Sequence, residues 1–304
     1  MEKVKILKAV DIINDSVSEY EGERPFLSTG DLNLSTITNL ELHTFSEKPS
    51  RANQNVSSGD LILARMQGTV KVKLINNEDE NIIVSTGFLV LRPKINADSK
   101  YLFHLLKSSN FQNDKDKLCT GATQKAINNS NFEKLEIPLP NLATQQRIAA
   151  ILDQADAIIQ NNRAIVQKYD ALTQSLFLDM FGDPVKNEKG WEKKEFSKVA
   201  INENSKRIPV KQSDRDEREG EYPYYGATGI IDTIDDYKFD GEYLLIAEDG
   251  KNLLFRKKNN AFMAYGKFWV NNHAHILSCN NICNLKYLEF FLKSIDLSPF
   301  ISGI

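Results

Sequence analysis

A continuous pattern of apolar residues over positions 144–180 constrains the fold of this chain more than any other feature. Apolar side chains recur there every three to four residues, which is typical of one face of an α-helix. Pro138 and Pro140 prevent an earlier start, Thr144 is the expected N-cap, and Gly182 predicts the end. At 1.5 Å per residue this helix is roughly 55 Å long, well above the usual length in a compact domain. The sequence therefore predicts a long helix that connects two other parts of the chain.

The apolar face of this helix predicts that it pairs with another helix. The spacing of its apolar residues approaches the 3.5-residue repeat of paired helices. One polar residue, Asn162, interrupts this face, and such a residue fixes the register between two paired helices. The alternative is that the helix lies on the core of its own domain. The predicted pairing face consists of Ile148, Leu152, Ile159, Asn162, Val166, Tyr169 and Leu176.

The segments on the two sides of the helix are rich in β-strand patterns and resemble each other. We call residues 1–140 the first lobe and residues 188–304 the second lobe. The matching segments are 25–30 with 223–229, 59–64 with 241–246, 87–91 with 268–270, 101–108 with 287–294, and 120–121 with 302–303. The chain is therefore predicted to have an α+β fold, with two related lobes joined by a long helical segment at 141–187.

Composition and charge exclude several classes of protein. The 304 residues are 41% hydrophobic and 26% charged, as in globular proteins, and three cysteines give no disulfide framework. No apolar run reaches the roughly 20 residues of a membrane span, and the first residues lack the apolar core of a signal peptide, so we expect a cytosolic location.

The net charge of −3 gives no global attraction for nucleic acid, but two stretches of the chain lack acidic residues. They lie between Asp60 and Glu78 and between Asp249 and Glu289, and both carry several lysine and arginine side chains. Such local basic stretches favour binding of a polyanion at one surface. Solvated strand and loop faces would explain the same charges.

Candidate catalytic and metal-binding residues have weak patterns. Asp240, Asp249 and Lys251 loosely imitate the acidic pair and lysine of a metal-dependent nuclease. The two histidines and two cysteines between positions 273 and 283 could bind zinc, but apolar residues of core type lie between them. We therefore predict no catalytic residue, no metal and no cofactor.

Polar side chains suited to DNA contacts lie in several predicted loops. Glutamine can bond to adenine and arginine to guanine in the major groove, while lysine and threonine suit phosphates. The residues predicted to contact DNA on this basis are Arg65, Gln67, Lys71, Thr123, Gln124, Lys125 and Lys251.

Several motifs resemble those of the specificity subunits of type I restriction-modification systems. They cover the two ends of the long helix and parts of both lobes. The motifs are Ile137-Pro138-Leu139-Pro140, Gln145-Gln146-Arg147-Ile148, Ile151-Leu152-Asp153, and residues 175–184, 120–127, 224–230 and 266–275. Asn271, Asn272 and His273 belong to the last of these and complete the predicted DNA-binding set.

The resemblance implies two target-recognition domains that each read one half of a bipartite site on double-stranded DNA. The helix between them would be a spacer that also docks methyltransferase subunits, and an endonuclease and translocase subunit would join through the complex. Catalysis and the methyl donor would then belong to these partners. The chain itself would be a non-catalytic subunit without a cofactor.

The family continues past its second recognition domain into a second spacer helix that pairs antiparallel with the first, whereas this sequence stops at Ile304. We therefore expect either that two copies associate through residues 144–180 or that the chain is a truncated, recombinable form. Two alternatives belong to other classes: a standalone metal-dependent enzyme that processes DNA, and an assembly scaffold that reads no DNA.

Overall fold

The computed structural model describes residues 3–248, 260–280 and 282–297. The chain divides into two compact units, Met1–Asn162 and Arg163–Ile304, which contain the first and the second lobe respectively. Each lobe combines helices with mostly antiparallel sheets, so the predicted α+β class is confirmed. The boundary between the units falls inside the long helix, and the domain limits at residues 140 and 187 stay predictions.

The first lobe contains two four-stranded sheets, ordered β2-β11-β8-β9 and β6-β3-β10-β7. Its strands are β1 (Lys3–Lys5), β2 (Val10–Ile13), β3 (Arg24–Leu27), β4 (Leu32–Asn33), β5 (Thr36–Ile37), β6 (Glu41–His43), β7 (Ala52–Gln54), β8 (Leu61–Ala64), β9 (Val72–Leu74), β10 (Ile83–Ser85), β11 (Phe88–Pro93) and β12 (Glu136–Pro138). Its helices are α1 (Ser99–Lys107), α2 (Ser109–Lys117) and α3 (Asn129–Phe132).

Strand β8 is buried on both faces, which explains its uninterrupted apolar sequence. Leu61 and Leu63 pack into the core that α1 and α2 cover, whereas Ile62 and Ala64 belong to a second core. Because successive side chains of a strand point to opposite faces, one strand supplies both cores.

The second lobe has a six-stranded sheet in the order β13-β18-β16-β17-β14-β15. Its strands are β13 (Ala200–Asn202), β14 (Tyr222–Gly226), β15 (Gly229–Ile234), β16 (Phe239–Ala247), β17 (Ala261–Val270) and β18 (Ala274–Cys279). The long helix is α4 (Leu142–Phe181), and the second lobe contains α5 (Phe196–Val199), α6 (Gln212–Asp216) and α7 (Leu285–Ser294).

The two lobes share one sheet topology. The antiparallel order β2-β11-β8-β9 of the first lobe recurs as β13-β18-β16-β17 in the second. A parallel pair also recurs: Phe26 lies opposite Ile83 in one lobe, and Tyr224 lies opposite Trp269 in the other. The duplication inferred from the sequence is therefore present in the fold.

The strand pairing corrects two of the sequence matches. Residues 268–270 correspond to 82–84 rather than to 87–91. Residues 82–84 include the strand that runs parallel to β3, and residues 268–270 belong to the strand that runs parallel to β14. Ala64 of β8 lies opposite Phe88, the first residue of β11, and Ala247 of β16 lies opposite Ala274, the first residue of β18. Residues 59–64 therefore match 242–247 and not 241–246. A shift of one residue turns every side chain to the other face of the sheet. The match of 120–121 with 302–303 lies partly outside the described residues.

Helix α4 begins three residues earlier than the predicted N-cap implies. Asn141 is the N-cap instead of Thr144, because its side-chain oxygen accepts a hydrogen bond from the Thr144 amide at 2.9 Å. The prediction failed because both residues can cap a helix and the spacing of the apolar residues does not choose between them.

The end of α4 agrees with the prediction. Gly182 has a φ of +76°, and its amide bonds to the carbonyl of Leu178 at 2.7 Å. The side chains of Lys189 and Trp191 donate to the carbonyls of Met180 and Phe181 at 3.0 and 2.9 Å. The last acceptors of the helix are thereby satisfied.

The first turns of α4 are anchored to the first lobe by Gln145, which is fully buried. Its Oε1 accepts a hydrogen bond from the Asp98 amide at 2.9 Å. Its Nε2 donates to the carbonyls of Asn96 and Pro140 at 2.9 and 2.7 Å. The glutamine of the Gln145-Gln146 motif therefore has a structural role.

About two turns further along α4, Asp153 binds two side chains of α1. Its carboxylate accepts from Lys100 at 2.8 Å and lies 2.7 Å from His104 Nε2. The hydrogen bonds from Lys100 and then His104 hold the pKa of Asp153 below its ordinary value.

Replacing Asp153 with asparagine should flatten the acid dependence of stability. The lowered pKa means that the carboxylate stabilises the folded state above its unfolded pKa of about 3.9, and that this contribution disappears as the pH falls below that value. Because the side chain is about one third exposed, the effect should stay below about 1 kcal/mol. Urea unfolding at two pH values measures it, and parallel losses in wild type and variant would contradict the expectation.

The last turns of α4 pack against α7 through aromatic rings. Phe177 is buried, with ring centroids 5.5 Å from Tyr287 and 6.2 Å from Phe290. Phe181 lies 5.0 Å from Tyr287. The equivalent helices α1 and α7 thus hold the two ends of α4 by different means, ionic in one unit and aromatic in the other.

The middle of α4 presents its apolar face to solvent. Every residue from 157 to 172 is exposed, and Val166 and Tyr169 have relative exposures of 59% and 65%. None of the described residues covers this part of the predicted pairing face. A globular protein rarely leaves such a stripe uncovered, so the face remains predicted to pair.

Candidate nucleic-acid interface

Most of the residues predicted to contact DNA in the first lobe lie at one end of the sheet β2-β11-β8-β9. At this end β8 finishes at Ala64, opposite the first residue of β11, and β9 begins beside it. The loop that connects β8 to β9 carries Arg65, Gln67 and Lys71.

The guanidinium of Arg65 forms hydrogen bonds within the protein. Its Nε donates to the carbonyl of Phe88 at 3.1 Å, and its Nη1 donates to Asn129 Oδ1 at 2.9 Å. Burial lowers the pKa of this arginine. These bonds tie the start of β11 to the first residue of α3, so the structure gives Arg65 a positioning role, while its predicted DNA contact stays a prediction.

Lys71 also has a protein partner. Its ammonium donates to the carbonyl of Thr29 at 2.6 Å. The lysine therefore holds the turn after β3 against the end of the sheet, and its half-buried charge lies at this same surface.

Gln67 is brought together with Gln124 and Lys125, which lie almost 60 positions away in the sequence. The backbone N–H of Gln67 donates to the backbone carbonyl of Lys125 at 2.9 Å, and the side-chain Nε2 of Gln124 contacts Met66 Sδ at 3.5 Å. We call residues 66–69 and 120–126 the paired loops. Their exposed side chains include Gln67, Thr123, Gln124 and Lys125, so four predicted residues form one patch.

The paired loops are supported by a buried lysine that the sequence analysis missed. Lys115 is fully buried, and its ammonium donates to the carbonyls of Met66 and Thr69 at 3.2 and 3.0 Å. The adjacent Asp116 accepts from the Gly68 amide at 2.9 Å. The sequence did contain one signal for this role. Lys115 lies four residues after the apolar Phe111, which places both side chains on the same face of the helix.

Gly121 fixes the shape of the second of the paired loops. Its φ is +136°, and a Cβ at this position would lie 2.5 Å from the carbonyl oxygen of Gln124. Only glycine fits there without a backbone shift. Thr120 pairs with Ala126 and closes the loop, so its exposed side chains are presented on an ordered frame.

In the second lobe, Asn271, Asn272 and His273 form one tight turn between β17 and β18. Asn271 is buried, and its Oδ1 accepts the His273 amide at 2.8 Å. Asn272 and His273 are exposed. Lys251, the remaining predicted residue, lies outside the described residues.

The same turn occurs in the first lobe at residues 85–87. The Gly87 amide bonds to Ser85 Oγ as the His273 amide bonds to Asn271 Oδ1. The Gly87 carbonyl accepts from the Arg65 amide, and the His273 carbonyl accepts from the Glu248 amide. We call residues 85–87 and 271–273 the equivalent turns.

An arginine supports each of the equivalent turns. Arg207 Nη1 donates to the carbonyl of Ala274 at 2.8 Å, at the position where Arg65 binds the carbonyl of Phe88. Since the two arginines come from different parts of their lobes, sequence matching alone could not reveal the shared contact.

The zinc and nuclease patterns do not form a metal-binding cluster within the residues the structure describes. His275 Nδ1 lies 2.7 Å from Asn204 Nδ2, and Cys279 Sγ contacts the Cys283 carbonyl. Asp240 lies on β16 opposite Lys267, whereas Asp249 and Lys251 lie outside the described residues. All three cysteines are free.

The chain matches one protein-family model, described as the type I restriction modification DNA specificity domain, over residues 4–168 and 188–302. The type I restriction enzyme HindI specificity subunit of Haemophilus influenzae is 26% identical over 52% of this chain and 35% of that protein. The type I restriction enzyme MjaIX specificity subunit of Methanocaldococcus jannaschii is 24% identical over 71% of this chain and 57% of that protein. The matches thus span about a third and somewhat over half of these relatives.

The fold is also similar to a solved structure, the S subunit of a type I restriction-modification system from M. genitalium. The similarity has a TM-score of 0.56 at 18% identity and covers 98% of this chain and 77% of that chain. Among the residues the structure describes, no helix is both long and apolar enough to cross a bilayer.

Proposed function

Because the chain belongs to the family of type I restriction modification DNA specificity domains, we propose that it is a DNA specificity subunit. In this function it selects the DNA target for partner enzymes and carries no catalytic site or cofactor of its own. We place this activity in the cytosol, where such partners meet the DNA.

The observation that carries the proposal is the recurrence of one turn at the same end of equivalent sheets in both lobes. Two related modules suit a target with two parts, of which each lobe reads one. In the first lobe the exposed amides of Gln67 and Gln124 are suited to base edges, and Lys125 is suited to a phosphate. In the second lobe the exposed Asn272 and His273 lie in the turn equivalent to residues 85–87, at the same end of the sheet.

We assign residues 1–140 and 188–304 to two target-recognition domains and residues 141–187 to the spacer. The partners we propose are double-stranded DNA, methyltransferase subunits that dock on the spacer, and an endonuclease and translocase subunit that joins through them. The standalone nuclease has no support in the relatives or in the side-chain geometry described above.

We further propose that the exposed face of α4 pairs with α4 of a second copy. The stripe contains Ile159, Val166 and Tyr169, all exposed, and the single polar Asn162 suits a defined register. An antiparallel pair of this kind would cover the apolar surface that each single chain exposes.

Sequencing of modified bases tests the DNA specificity. The chain is expressed with and without a methyltransferase subunit in a host that lacks both genes. The expected result is a new methylated motif with two specified parts and an unspecified gap, present only when both proteins are made. Methylation or cleavage by the purified chain alone would favour an enzyme, and failure of any duplex to bind with the methyltransferase present would favour a scaffold.

A further inference from the structure

We propose that a shallow cavity in the first lobe binds a phosphate group of the DNA backbone. The cavity has a volume of about 410 Å³ and is lined by Ser50, Arg51, Ser85, Thr86 and Gly87. The proposal rests on the proposed function, because it assumes that the first lobe binds DNA. Of these residues, none belonged to the set predicted from the sequence.

The backbone around the cavity is held in place by hydrogen bonds. The Thr86 amide donates to the Arg51 carbonyl at 2.9 Å, which joins the two segments that line the cavity. Gln54 is buried, and its Nε2 donates to the carbonyls of Ser85 and Phe88 at 2.8 and 3.2 Å. An ordered site of this kind binds without a large loss of conformational entropy.

The side chains at the cavity can donate hydrogen bonds to an anion, and none of them is a carboxylate. Arg51 is exposed, and across the described ranges of the chain its guanidinium forms no ion pair or hydrogen bond. The hydroxyl groups of Ser50 and Thr86 have no hydrogen-bond partner within those ranges either. Arginine and small hydroxyl side chains are characteristic contacts of DNA phosphates.

Positive charge is concentrated around the cavity. The stretches that border it, residues 48–54, 64–72 and 83–88, contain no acidic residue. Lys48 donates to the Ala52 carbonyl at 2.8 Å. Lys71 donates to the carbonyl of Thr29. Thr29 itself packs against the cavity, since a Cβ added at Gly87 would lie only 2.8 Å from the Thr29 methyl group. The local potential therefore favours an anion although the whole chain is slightly acidic.

The position of the cavity in the fold agrees with a role in DNA binding. Three of its residues form the turn 85–87, which is equivalent to the turn of Asn271, Asn272 and His273 in the second lobe. The turn lies at the sheet end that also carries the paired loops. A phosphate held by Arg51 would fix the first lobe on the duplex, while neighbouring amides contact bases.

The salt dependence of DNA binding tests this site. The full chain, in complex with its methyltransferase subunit, is titrated with the duplex that carries its methylated motif, over a range of salt concentrations. Arg51→Ala should reduce the slope of log affinity against log salt by about 0.9, the value for one phosphate contact, and should lower the affinity about tenfold. The preference for the motif over unrelated duplex should not change, since phosphate contacts carry no sequence information. Arg51→Lys should retain the slope and recover part of the affinity.

The matched control is Lys8→Ala. Lys8 is an exposed cation of the same lobe, next to the start of β2, where Val10 pairs with Pro93 at the opposite end of the sheet. Its loss should leave the slope unchanged. An unchanged slope in Arg51→Ala, or an equal reduction in both variants, would overturn the phosphate site while leaving the proposed function intact. A wild-type complex that binds no duplex would instead show that the proposed function is wrong.

Discussion

Replacing Gln145 with glutamate should lower the free energy of unfolding of the first unit by about 3–5 kcal/mol. The wild-type amide donates to the carbonyls of Asn96 and Pro140 in a site that is closed to solvent. A carboxylate would lose both hydrogen bonds and place a buried negative charge against two carbonyl oxygens. Gln145→Met, which removes the polar group without adding a charge, should cost less.

The control is the neighbouring residue of the same motif. Gln146 is exposed, so Gln146→Glu makes the same chemical change near the same helix terminus and should alter stability by no more than about 0.5 kcal/mol. Urea unfolding followed by circular dichroism measures all three variants. Equal unfolding free energies for Gln145→Glu and Gln146→Glu would show that Gln145 does not anchor the helix.

The double variant Ile159→Glu, Val166→Glu should abolish self-association through α4. Each replaced side chain contributes roughly 1.5–3 kcal/mol when it is buried, so loss of both should weaken the dimer at least about a hundredfold. The wild-type chain should sediment as a concentration-dependent dimer and the variant as a monomer.

The opposite side of the same helix provides the control. Ala157 and Ala164 are exposed, and each precedes a replaced residue by two positions, which is about 200° around the helix. Ala157→Glu, Ala164→Glu therefore adds the same charge away from the stripe and should leave the dimer intact. A wild-type chain that stays monomeric at high concentration, or a control that dissociates equally, would contradict pairing through this face.

The candidate site was only partly predictable from the sequence. The exposed positions of Gln67, Gln124 and Lys125 agree with their proposed role, and the structure adds that they form one patch. Arg65 was chosen as a possible guanine contact and Lys71 as a possible phosphate contact, but both donate to backbone carbonyls. Arg51 was overlooked, because a single arginine in a loop has no pattern in the sequence that distinguishes it.

The sequence by itself determined the long helix, its C-terminal stop and the presence of two related lobes. These features depend on residues that are close together in the chain: apolar spacing, the glycine at 182, and recurring short motifs. Only the tertiary structure decided the register that matches Ala64 with Ala247, because strand pairing is set by hydrogen bonds between distant segments. It also decided which cations are available to a ligand. Arg65 finds its acceptor on Asn129, 64 positions away, whereas Arg51 finds none among the described residues, and no local pattern contains that difference.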